Sequence, residues 1–268
     1  MDKLTNTQQW VNWRYSKHSN GTITKIPTNG AGKLISISNP KCYRSFDEVY
    51  DAWMSNKQLA GVGFVLTEED NFAGVDMDAV EKWYGAGEIV RKFNSYTEIS
   101  PSKHGIRIIC EGYIPGETNE RTANKTAAHK VGNHDSGEVA IYDAHRFLTI
   151  TFNPLDFNNE NFLTIKPAQE AIEWLCKSLD DKGLMNNILH SEYSKKFTDL
   201  WEGKWQSLYP SNSEADLGFV RILSNNHAPI HQIDRLYRKT KLYRPKWDEK
   251  RGIKTYGELT LIQGTTEP

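Results

Sequence analysis

Cysteine is scarce: three residues in 268, Cys42, Cys110 and Cys176, stand far apart with no CxxC pair. That excludes a disulfide framework and a cysteine-rich zinc site, and it suits a reducing cytosol, so a cytoplasmic location is expected. Long apolar runs are also missing. The longest, Gly61 to Leu66 and Phe147 to Ile150, fall far short of the ~18 residues that a bilayer span needs. The opening MDKLTNTQQW is too polar for a signal peptide, so no membrane partner is expected. An excess of one charge is absent as well. Lys and Arg number 33 against 34 Asp and Glu, a formal net charge of −1, so any contact with nucleic acid must rest on local patches. No internal repeat is visible. What remains is a globular composition, 38% hydrophobic and 25% charged, which excludes collagen, coiled coil and wholesale disorder. The length exceeds the usual single domain of roughly 100–200 residues and implies about two.

The first part reads as mixed strands and helices. Trp10 to Trp13 and Ile23 to Pro27 form a hairpin pattern around Ser19-Asn20-Gly21. Ser45-x-x-Glu48 is a capping box opening a helix to about Asn56, with Phe46, Val49, Tyr50 and Trp53 on its buried face. Strands are expected at 61–66, 72–78, 96–99, 105–110, 139–142 and 147–151, and a helix from about Ala79 to Phe93. The polar segment Gly116 to Gly137 lacks apolar periodicity and reads as a loop. After Pro154 helices dominate, at 168–179, 185–210 (loosely), from Ser213, and at 230–237. The division expected is 1–165 as an α+β domain, 166–212 as a helical linker and 213–268 as a helical bundle.

Asp76 and Asp78 are the sharpest feature. Alternate strand residues share a face, so the two carboxylates project side by side, an arrangement that calls for a neutralising cation. Hard oxygen ligands suit Mg²⁺ or Mn²⁺. The competing reading is a solvated strand end. Ser100-Pro101-Ser102-Lys103-His104-Gly105-Ile106-Arg107 joins two strands and combines hydroxyls, cations and a close-approach glycine, as a triphosphate cradle would. Taken alone it is equally an ordinary turn. Arg146 adds a cation before the strand Phe147 to Thr151.

These pieces occur in order: Val75-Asp76-Met77-Asp78, Tyr96 to Ser102 with Gly105-Ile106-Arg107, Ile141-Tyr142-Asp143, and Arg146 to Thr151. Trp10-Val11-x-Trp13 and Lys25-Ile26-Pro27 precede them. Ser213 to Asp216, Gln232 to Arg238 and Leu242 to Arg251 follow. Together they resemble the primase-polymerases of the archaeo-eukaryotic primase superfamily found in phages, plasmids and other mobile elements, catalytic domain plus helical-bundle domain. The resemblance implies an α+β catalytic domain with a mainly antiparallel sheet flanked by helices, followed by a small all-α bundle. It implies template-directed synthesis from dNTPs or NTPs on single-stranded DNA with Mg²⁺ or Mn²⁺, and a helicase as a C-terminal or separate partner. It places Asp76 and Asp78 at the metal, and Ser100, Ser102, Lys103, His104, Arg107, Tyr142 and Arg146 at the nucleotide.

Three positions depart from the family pattern. Lys103 stands at a usual glycine, as does Phe152. Ala140, two residues before Tyr142, stands where a third carboxylate is usual. Glu138 lies on the same strand face about 6–7 Å away and is the candidate replacement as a catalytic residue. The alternative is a catalytically impaired module that binds single-stranded DNA or nucleotide. A carboxylate-dependent nuclease would also use Asp76 and Asp78 but needs no triphosphate turn.

From His231 to Lys254 nine Lys/Arg face three acids, with Tyr237, Tyr243 and Trp247 interleaved. Cations neutralise phosphates and aromatic faces stack on unpaired bases, so Arg235, Arg238, Arg244, Lys246 and Trp247 are candidate DNA contacts. The other reading is a helical face whose aromatics pack inward. His129 and His134 lack the partners and spacing of a zinc site.

Overall fold

The computed structural model describes residues 2–116, 127–130, 137–157 and 160–266. The chain divides into two compact units. The first comprises Met1–Asp78, Val90–Ala128 and Val139–Glu173; the second comprises Ala79–Ile89, His129–Glu138 and Trp174–Pro268. The architecture is α+β: antiparallel strands with flanking helices, then a helical C-terminal region.

In the first unit a short helix α1 (Asp2–Thr5) precedes β1 (Trp10–Lys17) and β2 (Ile23–Thr28), the expected hairpin, paired with Tyr15 opposite Lys25. Helix α2 (Phe46–Ser55) starts at the expected capping box: Ser45 Oγ accepts the Glu48 N–H, and Glu48 reaches back to the Ser45 N–H. Next come β3 (Gly61–Leu66) and β4 (Phe72–Asp78), then helix α3 (Ala86–Phe93). β5 (Tyr96–Ile99) and β6 (Ile106–Glu111) follow, with β7 (Ala127–Lys130), β8 (Glu138–Tyr142) and β9 (Arg146–Ile150) completing two sheets. Their orders are β2-β1-β3-β9 and β5-β6-β4-β8-β7. β7 falls within the segment expected to be a loop; 117–126 and 131–136, with His134, lie outside the described residues.

Both sheets contribute to one apolar cluster. Val62, Phe64, Leu66, Leu148 and Ile150 come from the first sheet, and Phe72, Tyr96, Ile109, Ala140 and Tyr142 from the second. The packing is close enough that a Cβ at Gly74 would collide with the Leu148 side chain. Each large aliphatic side chain buried here is worth roughly 1.5–3 kcal/mol. A short ladder of β10 (Asp156–Phe157) and β11 (Glu160–Asn161) precedes α4 (Gln169–Ser178).

The expected helix from Ala79 is shorter than its apolar pattern. Ala79 is left-handed (φ 47°) and opens a 3₁₀ turn, Val80–Lys82; Gly85 (φ 102°) precedes α3. Neither conformation continues an α-helix.

The second unit holds α5 (Asp181–Leu189), α6 (Ser194–Trp201), α7 (Asn212–Asn225), α8 (Ile230–Tyr237), a hairpin of β12 (Lys250–Arg251) and β13 (Lys254–Thr255), and α9 (Tyr256–Thr265). Its core includes Phe197, Phe219, Leu223, Leu236, Tyr237, Trp247 and Leu261. The Tyr237 and Trp247 rings stack with centroids 3.7 Å apart.

Two buried carboxylates organise this unit. Asp216 accepts from the Tyr237 hydroxyl (2.7 Å), the Tyr256 hydroxyl (2.7 Å) and both terminal nitrogens of Arg244 (2.9 and 2.6 Å). Asp234 accepts from Trp247 Nε1 (2.8 Å) and Arg238 Nε (3.0 Å), and Arg238 continues to Asp248. Removing one partner of such a pair leaves the other charge buried and unpaired, which costs about 3–5 kcal/mol. Asp216→Ala is therefore expected to destabilise the helical unit by that amount, read from denaturant unfolding.

His231 is also fully buried. Its Nε2 meets Ser178 Oγ at 2.7 Å, and burial, helped by Arg235 and opposed by Asp181, pushes its pKa down to about 3. Unfolded, the ring takes a proton below about pH 6.5; folded, it resists until about pH 3. The stability contributed by the neutral ring is lost as pH falls through that window, by up to about 1.4 kcal/mol per pH unit. His231→Gln should flatten this part of the stability–pH slope.

Candidate functional site

Strand β4 sets the geometry. Val75 and Met77 are wholly buried, while Asp76 is partly exposed and Asp78 exposed. The pleat puts the two carboxylates on one face and the two apolar side chains on the other, as the alternation requires.

The turn after β5 lies against the end of β4. A Cβ at Gly105 would sit 2.6 Å from the Met77 carbonyl, 2.8 Å from Ser100 Oγ and 3.1 Å from Asp78 Oδ1. Only glycine permits this approach. Within the turn, the Ser100 N–H donates to the Gly105 carbonyl (2.9 Å) and the Lys103 N–H to the Ser100 carbonyl (2.9 Å). Ser102 Oγ lies 3.0 Å from Ser100 Oγ and accepts the His104 N–H at 3.3 Å. Ser100 is buried, whereas Ser102, Lys103 and His104 are exposed. The Gly105 backbone, with the Ser100 hydroxyl next to it, thus packs against the end of β4 at Asp78.

Lys103 has φ 65° and Phe152 has φ 53°. These are left-handed positions, which glycine adopts at no steric cost, in keeping with the glycine expected from the resemblance at both places. Phe152 compensates by packing edge-on against Phe46 and donating its N–H to Glu98 Oε2.

Arg107, expected at the nucleotide, turns inward instead. The strand register sets it opposite Asp76 on one side and Glu98 on the other, and its side chain is 4% exposed. Nη2 donates to Asp76 Oδ1 at 2.9 Å; Nη1 donates to the Thr149 carbonyl and hydroxyl and lies 4.0 Å from Glu98 Oε1. Reaching a phosphate would break all of these contacts. Glu98 is fully buried, and burial pushes its carboxyl up while Arg107, the Thr151 N–H and the Tyr96 hydroxyl pull it back.

Sequence reasoning missed Glu98, and it also missed Lys25. The Lys25 ammonium is half-buried; burial and Arg107 lower its pKa, while Asp76 and Asp78 act in the opposite sense. It is thus a cation within electrostatic range of the acidic pair. Its signal was the Lys25-Ile26-Pro27 motif.

Ala140 is buried in the apolar cluster with Tyr142 and Leu148. Glu138 begins the same strand and is half-buried. The Arg146 guanidinium lies 4.7 Å from the Tyr142 ring centre, a cation–π contact at the surface.

Within the basic C-terminal segment the five candidate DNA contacts all make contacts inside their own unit. Arg235 is 1% exposed and bonds Asp181 (2.6 Å) and the Ser178 carbonyl. Arg238 is held by Asp234 and Asp248, Trp247 is fully buried, and Arg244 is bonded to Asp216. Lys246 donates to Ser213 Oγ and lies over the Tyr256 ring. Arg238, Arg244 and Trp247 thus satisfy the buried Asp234 and Asp216, and Arg235 pairs with the partly buried Asp181, because a charge taken out of water must be paired.

Among the described residues no group of three or more His, Cys, Asp or Glu side chains gathers in a metal-holding arrangement. The donor set at β4 is therefore two carboxylates. That number fits Mg²⁺, which commonly takes one or two carboxylates and fills its shell with phosphate and water. The left-handed Lys103 yields one expectation for the turn: Lys103→Gly should raise stability by up to about 1 kcal/mol, read as an increased denaturation midpoint.

Residues 212–267 match the NrS-1 polymerase HBD domain family. A wider likeness is to a protein named DNA primase-polymerase from Nitratiruptor phage NrS-1: 28% identity over 283 residues, covering 96% of this chain and 36% of that protein. The chain thus spans about a third of this relative's length. Together these two likenesses support a resemblance of the chain to the phage-type primase-polymerases.

Proposed function

We propose that this chain performs template-directed nucleotidyl transfer as the polymerase portion of a mobile-element DNA primase-polymerase. The observation that carries the reading is the pair Asp76 and Asp78 on one face of β4, with the Ser100–Gly105 turn packed against Asp78. The likeness to a phage DNA primase-polymerase supports the reaction class.

In this reading Asp76 and Asp78 hold Mg²⁺ or Mn²⁺, with Glu138 as the candidate third carboxylate. Such ions, when bound, activate the attacking 3′-hydroxyl and stabilise the departing pyrophosphate. The exposed Ser102, Lys103 and His104 bind the triphosphate through hydroxyl, ammonium, imidazole and backbone N–H groups. Lys25 adds positive charge within electrostatic range of the pair. The Arg146–Tyr142 pair sits at the nucleotide. Single-stranded DNA is the template, and a helicase is the expected partner. A second reading, a nucleotide- or DNA-binding module of little activity, is favoured by the apolar surroundings of Ala140.

A primer-extension and unprimed-synthesis assay with Mg²⁺ or Mn²⁺ separates the two. Asp76→Ala and Asp78→Ala should each lower incorporation about 100-fold or more, the equivalent of roughly 3 kcal/mol of transition-state stabilisation. Equal incorporation by wild type and both variants would remove the metal assignment. No incorporation by wild type, with nucleotide binding retained, would favour the second reading.

A further inference from the structure

Arg107 is an inward-facing cation in a site expected to bind phosphate, and its surroundings give it a different task. Glu98, Arg107 and Asp76 stand in one row across β5, β6 and β4, each opposite the next in the antiparallel register. At one end of the row Glu98 is locked: it accepts the Tyr96 hydroxyl (2.9 Å), the Thr151 N–H (3.0 and 3.1 Å) and the Phe152 N–H (3.2 Å). At the centre, Arg107 is tied by Nη1 to the Thr149 carbonyl and hydroxyl on β9. A guanidinium is a rigid planar fork, so fixing Nη1 also fixes where Nη2 meets Asp76 Oδ1.

We infer that Arg107 is a positioning residue for Asp76, with Glu98 and Thr149 as its anchors, holding one carboxylate oxygen so that the other is presented to a divalent cation. This rests on the metal reading given above. The Asp76 side chain remains 27% exposed while Arg107 is 4% exposed, so the carboxylate keeps surface for an ion and the guanidinium does not face the substrate. Partners that orient a metal ligand in this way typically contribute 10–100-fold to metal affinity.

The test is Mn²⁺ binding to the whole chain without nucleotide, followed by the electron paramagnetic resonance signal of free Mn²⁺, with thermal unfolding recorded in parallel. Arg107→Lys keeps the charge and loses the fork; it should weaken Mn²⁺ binding 10–100-fold. Thr149→Val removes one anchor with little change of shape and should weaken binding by a smaller factor; if Arg107→Lys fails to fold, this variant decides. A purely structural role would lower the unfolding temperature and leave Mn²⁺ affinity of the folded protein unchanged, and that result would overturn the inference. Asp76→Asn is the reference. If it abolishes binding while the other variants bind like wild type, the positioning role alone falls. If Asp76→Asn also binds like wild type, or wild type binds no Mn²⁺, the metal reading falls and takes the positioning role with it.

Discussion

Two carboxylates one residue apart on a strand repel each other, and the means of offsetting that repulsion organises the first unit. Arg107 supplies a charge directly beside Asp76, and Lys25 adds another within range. A buried guanidinium itself needs neutralising, which Glu98 provides from the next strand. Glu98 in turn is buried and needs donors. The Thr151 and Phe152 N–H groups converge on it because the chain bends at Phe152 into a left-handed conformation. A backbone feature just after β9 is therefore linked, through Glu98 and Arg107, to the acidic pair at the end of β4.

The second unit uses the same physics for another purpose. Asp216 and Asp234 are each removed from water and each surrounded by an arginine and aromatic donors. Pairs of this kind add little net stability over apolar packing, but they are costly to break and they specify one arrangement of the chain. The stacked Tyr237 and Trp247 rings combine both roles, since each fills the core and donates one hydrogen bond to a buried acid.

Much of the fold was legible in the sequence where the signal is local. The Ser45–Glu48 capping box, the β1–β2 hairpin and the alternation in β4 depend on neighbours within a few residues, and each forms as expected. The helix expected from Ala79 was not, because the left-handed Ala79 and Gly85 break it and apolar spacing does not report backbone conformation. The candidate site was legible in part. Asp76, Asp78 and the Ser100–Gly105 turn follow from strand periodicity and turn chemistry. Glu98 reaches Asp76 only through Arg107, by the pairing of β6 with β4, and Lys25 comes within range of the acidic pair from the other sheet. Arg235, Arg238, Arg244 and Trp247 looked available for DNA because composition counts charges without their partners. Those partners, Asp181, Asp216 and Asp234, are revealed only by tertiary packing.

The polar skeleton around Asp216 has a property of its own. Tyr237, Arg244 and Tyr256 all fall inside residues 212–267, as do Asp234, Arg238, Trp247 and Asp248. Most of the wiring of Asp216 and Asp234 is thus encoded within a single contiguous stretch of about one-fifth of the polypeptide, with the Tyr84 N–H, 3.5 Å from Asp234, as a donor from outside it. Its charge balance nevertheless reaches beyond it, because the buried Arg235 takes its counter-ion, Asp181, from α5; severing the stretch from that helix would strand a guanidinium out of water.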